Sequence, residues 1–277
     1  MKQIIFAGTM LAMLGASALM AQQKGNTKGG PAPKSKGEAE AVNALVTAQQ
    51  QNNPDAVITA AENLVTKYAD TEYKDTALFM EAVSYQQKGD REKAQIYLER
   101  TVAANPKNFQ ATLMLSEATI QNTREHDLDR DEKLSRADEY ANDAIASINA
   151  AAKPNPALSD QQWEDAKKDL VAQAHDALGM SAMQRKNYDQ AITEFKSALD
   201  GAAHPEPAFE VRLASAYQQA GKNDEAITVA EKVMNEQQTP QQIKSVAQAV
   251  RAAAVVAKNG GKPATGQAPP QVEIKKQ

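Results

Sequence analysis

The densest run of groups able to do chemistry is His126-Asp127-Leu128-Asp129-Arg130-Asp131, followed by Asp138. Carboxylates at alternate positions supply the hard oxygen donors that a calcium loop uses. Such a loop also needs glycine for its sharp central turn, where Glu132 stands here, and a longer bidentate glutamate at its end, where this chain has Asp138. The residues therefore favour a solvated inserted loop over a metal site at Asp127–Asp131. His126, His175 and His204 are far apart, and none has a partner at the four-residue spacing of helix-borne ligands; His175 reads as a helix-face residue. There is no glycine-rich phosphate loop, nucleophile elbow or serine-lysine spacing. Trp163, the only tryptophan, is either a ligand platform or a packing residue near the start of a long helix, and packing is the reading we take. No catalytic, cofactor-binding or metal-binding residue is assigned, and the chain reads as non-enzymatic.

Those residues sit on a chain of 277 residues that is 42% hydrophobic but only 5% aromatic, a balance suited to many small helix contacts. The net charge of -4 is segregated. Residues 1–21 carry +1, residues 22–37 carry +4 and residues 258–277 carry +3, which leaves -12 on the body from 38 to 257. An acidic body argues against a nucleic-acid groove. With no cysteine, disulfides, thiolate metal sites and cysteine nucleophiles are excluded.

Lys2, the mostly apolar run Ile4 to Leu14, and the small-residue stretch Gly15 to Ala21 have the layout of a secretory signal, cleaved after Ala21 or Ala18. An exported, most simply periplasmic, protein is expected; if the segment is retained, it becomes an anchor in the inner membrane facing the periplasm. Residues 22–37 are lysine-, glycine- and proline-rich and read as a disordered linker, and residues 258–277 as a disordered tail.

From Glu38 to about Ala257 the pattern is helical. Glycine is confined to four positions, with Gly89 and Gly221 at turns and Gly179 at a close approach. Pro54, Pro106, Pro154, Pro156, Pro205, Pro207 and Pro240 fall where helices stop or start. Ser159 with Gln162, and Thr239-Pro240 with Gln242, are expected caps. Five helical pairs follow, the first with Ala44, Ala56, Ala60 and Leu64 on its seam and the third with its turn expanded over Asn122 to Lys133. A final helix, 241–257, is expected to cover the end of the stack with Ile243, Val246, Val250 and Val255.

The clearest unit is Asp176 to Asp200: Leu178-Gly179, the Asn187-Tyr188 turn, Ala191, Phe195 and Ala198 stand in an order that resembles the tetratricopeptide repeat, a unit of about 34 residues. Ala82, Tyr85, Gly89-Asp90, Ala94, Leu98 and Pro106 repeat it, as do Leu213-Ala214, Tyr217, Gly221 and Ala226. Glu81 departs from the pattern, standing where a large apolar residue is usual. The resemblance implies an all-α fold of antiparallel hairpins stacked as a right-handed α-solenoid, and a protein or peptide partner. In that family the first helices line a concave groove for a peptide or helix. Projected here, the groove is Phe79, Val83, Gln87, Leu113, Glu117, Ile120, Met180, Met183, Val211 and Gln218. The alternatives are a membrane-anchored assembly factor, and an enzyme or sugar-binding protein with a site between elongated repeats.

Overall fold

A computed structural model describes residues 31–154 and 157–260. The expected signal segment, the linker up to residue 30, Pro156 and the tail from 261 onward lie outside the described residues. Among those described the secondary structure is entirely helical. In chain order the helices are α1 Lys36–Gln50, α2 Pro54–Lys67, α3 Lys74–Gln87, α4 Arg91–Ala104, α5 Phe109–Asn122, α6 Arg130–Ala150, α7 Asp160–Gln184, α8 Tyr188–Gly201, α9 Pro207–Gln219, α10 Asn223–Asn235 and α11 Gln241–Lys258. The chain forms two compact units that meet inside α7, after Lys167. No described helix is long and apolar enough to cross a membrane.

Short turns make the hairpins, and each has the same construction. A left-handed residue, Asn52, Gly89, Lys186 or Gly221 with φ of 50°, 78°, 60° or 75°, immediately precedes the N-terminal cap of the following helix. Glycine adopts that conformation without the Cβ clash other residues pay, which explains Gly89 and Gly221. Three of the caps then bind the new helix: the Asn53, Asp90 and Asn187 side chains accept from the backbone N–H of Ala56, Lys93 and Gln190. The third hairpin differs, its connection running from Thr123 to Asp129 with α6 resuming at Arg130, inside the expected insertion.

In the first unit, α2 packs on α1 and α3, and α4 on α3 and α5. Ala41, Val42, Leu45 and Val46 of α1 meet Val57, Ala61 and Leu64 of α2 and Ala77 and Met80 of α3 in one core cluster. The seam of this pair is not carried by Ala44, which is exposed because the buried stripe of α1 is made by Ala41, Val42, Leu45, Val46 and Ala48. Residues 31–37 are not a free linker: the Tyr73 hydroxyl donates to the Pro31 carbonyl at 2.8 Å, and Lys34 pairs with Asp70 at 3.0 Å. Ser35 caps α1, accepting from the Glu38 N–H at 3.1 Å, so the helix starts two residues ahead of Glu38.

In the second unit, Ala182 of α7, Ala191, Ile192 and Phe195 of α8, Leu213, Ala216 and Tyr217 of α9 and Ala226 of α10 form a shared core. Gly179 is the contact point of α7 and α8. A Cβ there would stand 2.5 Å from the Phe195 ring, which is itself 1% exposed. The chain ends in α11, whose Ile243, Ala247 and Val250 pack on Val211, Ala214, Ala230 and Val233. Val246 is 49% exposed, against expectation: the covering stripe uses Ala247 and Ala254, whose small side chains let α11 lie close. The Ser159–Gln162 cap is reciprocal, at 2.9 and 3.1 Å, as expected. The second expected cap is absent, since Pro240 occupies the cap position and the Thr239 hydroxyl donates to Glu236 instead.

Candidate partner-binding faces

In the first unit the expected groove residues come from α3 and α5. Phe79, Leu113 and Ile120 are 5%, 1% and 3% exposed, and Phe79 belongs to the core with Ala82, Leu98, Ala111 and Leu115. These three are therefore structural and do not form contact surface. Val83 and Glu117 are half-buried and Gln87 is exposed. Val83, Met114 and Ala118 are partly buried and pack against that core, so they carry apolar surface at its margin. The projection chose Phe79 because helical spacing alone cannot tell the stripe facing the next hairpin from the one beside it.

In the second unit, Met180 and Met183 of α7 and Gln218 of α9 are half-buried, and both methionines pack on the core around Phe195, Leu213 and Tyr217. Methionine is suited to such a margin, because its flexible thioether can repack against a guest. Val211 is 6% exposed and serves the core beneath α11, so it drops out of the expected face. The expected residues fall in both units, and in each unit they mark one face.

Counting back from the left-handed turn residue exposes two features that the projection missed. Ten residues before it stand Val42, Phe79, Asp176 and Val211, all buried; eight before it stand Ala44, Glu81, Leu178 and Leu213. Two core slots thus hold carboxylates. Asp176, 4% exposed, is bonded through Oδ2 to the Arg212 guanidinium of α9. Burial pushes its carboxyl above the usual range and Arg212 opposes that rise. Nearby Glu206 is also raised, by burial and then by the Asp176 charge. Glu81, 1% exposed, has no such partner. Burial and then the Glu62 charge push it up to about 7, against the opposing hydrogen bond of Tyr97 and the charge of Arg100. The fixed offset from each turn was the available signal, but it requires knowing that Asn52 and Lys186 are left-handed.

Around Glu81 the surface is aromatic and cationic. Tyr85 and Tyr97 stack with centroids 5.1 Å apart, Lys93 lies 5.1 Å above the Tyr85 ring and Arg100 4.7 Å above that of Tyr97. Burial, then Glu81 and Tyr85, push the Tyr97 hydroxyl up to about 12. The acidic run behaves differently. Lys133 lies 2.9 Å from both Asp127 and Asp129, and Asp127 also accepts from the Arg124 N–H at 3.0 Å. These bonds hold the Asp127 carboxyl below its ordinary range, the Arg124 N–H contributing most. A lysine of the chain itself thus occupies the position between the two carboxylates. Among the described residues no group of three potential ligands could hold a metal ion. His175 Nδ1 is 2.9 Å from Glu194, His204 Nδ1 2.9 Å from Asp169, and Trp163 is 5% exposed, consistent with packing.

Residues 79–144 match the family Tetratricopeptide repeat, and residues 182–250 match it separately, one segment in each unit. The chain is similar to a solved thermophilic tetratricopeptide-repeat protein of Thermus thermophilus, with 20% identity over 77% of this chain and 98% of that one and a TM-score of 0.51. It is also similar to a structure titled as an assembly chaperone of RpL4 (Acl4), with 11% identity over 80% and 98% of the two chains and a TM-score of 0.43. No curated protein matches. Both segments are similar to tetratricopeptide repeats, and the fold is of the tetratricopeptide-like α-solenoid class. Repeats of this kind hold other proteins.

Proposed function

We propose that this chain is a non-catalytic scaffold that binds a protein partner through the first-helix faces of its hairpins, taking an extended peptide or an amphipathic helix. The observation that supports this most is the pair of half-buried apolar margins, Val83 with Met114 and Ala118 in one unit and Met180 with Met183 in the other, each backed by a rigid core. A rim that is already partly desolvated and held in place costs little to cover. Exported localisation, with the scaffold working in the bacterial cell envelope, rests on the apolar stretch and small residues before Gln22.

The test uses the full chain in its native cells. After fractionation, partners captured by the wild type are compared with those captured by Val83→Glu and Met183→Glu, both at half-buried positions. Loss of the same partner in either variant, with unchanged circular dichroism, is expected. Retention of every partner in both variants, or recovery of the protein in the cytoplasm, contradicts the corresponding half of the proposal.

A further inference from the structure

We propose that Glu81 is a proton-controlled wedge in the first unit: with its carboxyl protonated α3 seats between α2 and α4, and on ionisation that seating loosens. In the second unit this slot belongs to the hydrophobic core, whereas at the same offset in the first hairpin Ala44 is exposed. Leu178 and Leu213 fill it in the second unit, both buried, and Glu81 is buried just as deeply. Its Oε1 has no hydrogen-bond partner among the described residues. A neutral carboxyl in such a place loses one hydrogen bond, whereas a carboxylate brings an uncompensated charge into a medium that solvates it poorly.

The groups facing it do not rescue the charge. From α2 comes Glu62, which repels it. From α4 come the Tyr97 hydroxyl, a hydrogen-bonding partner, and Arg100, an exposed cation engaged over the Tyr97 ring. On α3 itself, Tyr85 stacks against Tyr97, and Lys93 of α4 sits above the Tyr85 ring. The lowest-energy response to this setting is to keep the proton. The sign follows directly: the unfolded carboxyl ionises near its ordinary value of 4.5 and the folded one near 7. Stability is then highest below 4.5, falls through that window and stays low above it.

Hydrogen exchange on the full chain between pH 4.5 and 8.5, corrected for the intrinsic pH dependence of exchange, tests this on peptides from α3 and α4. For the wild type, the opening constant of these helices is expected to rise up to about tenfold per pH unit, to a plateau roughly 300-fold higher above neutrality. Glu81→Leu, which installs the residue of the equivalent slots, and Glu81→Gln, which keeps the shape without the charge, are both expected to flatten the profile. If Glu81→Leu fails to fold, the glutamine variant decides. A glutamine variant with the wild-type pH profile overturns the proposal.

Discussion

The two units treat the same problem in opposite ways. Each buries a carboxylate in a core slot that its sister repeats fill with an apolar side chain: Asp176 where Val42, Phe79 and Val211 stand, Glu81 where Leu178 and Leu213 stand. In the second unit Arg212 reaches across from α9 and bonds to the buried charge, so the carboxylate joins two helices. In the first, the nearby Arg100 guanidinium is committed to an aromatic ring at the surface, and the carboxylate is left to hold a proton. A buried acid is thus a connector or a liability according to whether the next repeat supplies a cation.

Removing the connector should have the largest effect. Arg212→Met leaves Asp176 buried without its partner and is expected to destabilise the second unit by about 3 kcal/mol at pH 8 and by less at pH 5, because burial raises the Asp176 carboxyl and lower pH favours its neutral form. Denaturant titration at the two pH values checks both figures. A loss that is equal at both would mean that packing of the arginine stem, and not the charge pair, joins the helices. A comparable loss, about 2 kcal/mol, is expected from Gly179→Val, whose branched side chain meets the immobile Phe195 ring, with α1 to α4 unchanged in hydrogen exchange.

Removing the liability should have the opposite sign. Glu81→Leu is expected to raise stability by up to about 3 kcal/mol at pH 8 and to change it little at pH 4.5, the span between ordinary and shifted ionisation. Smaller again is Gly221→Ala, where a left-handed φ of 75° asks a Cβ to sit against its own carbonyl; about 1 kcal/mol is expected by thermal unfolding. The smallest effect belongs to a repeated surface motif. Lys88–Asp55 and Lys222–Asp189 each link one hairpin to the next, and Lys258–Asp224 links the last hairpin to α11, at spacings of 33, 33 and 34 residues. Both partners are solvent-exposed in every pair, so Lys222→Ala is expected to leave the melting temperature unmoved.

Much of this architecture was legible in the chain. Gly89, Gly221 and Gly179 marked two turns and one close approach, and the alanine and phenylalanine spacing around Ala191 gave the hairpin. What was not legible depended on partners distant in sequence. The role of Asp176 could not be read from its own helix because Arg212, which pairs with it, lies 36 residues away. Phe79 and Val211 read as groove because the hairpins that cover them are set by stacking, which one helix's periodicity does not contain. Val246 was chosen for bulk over Ala247, although the last helix approaches its neighbours closely enough to need the smaller residue.

The functional account is tested most directly by placing a photo-crosslinking amino acid at Val83, Gln87, Met183 and Gln218 in native cells. Ile96 and Val246, exposed apolar residues away from the first-helix faces, serve as controls. The account predicts a discrete protein adduct at one or more of the first four positions and none at the controls. Adducts at Ile96 or Val246, with none at the other four, would contradict it.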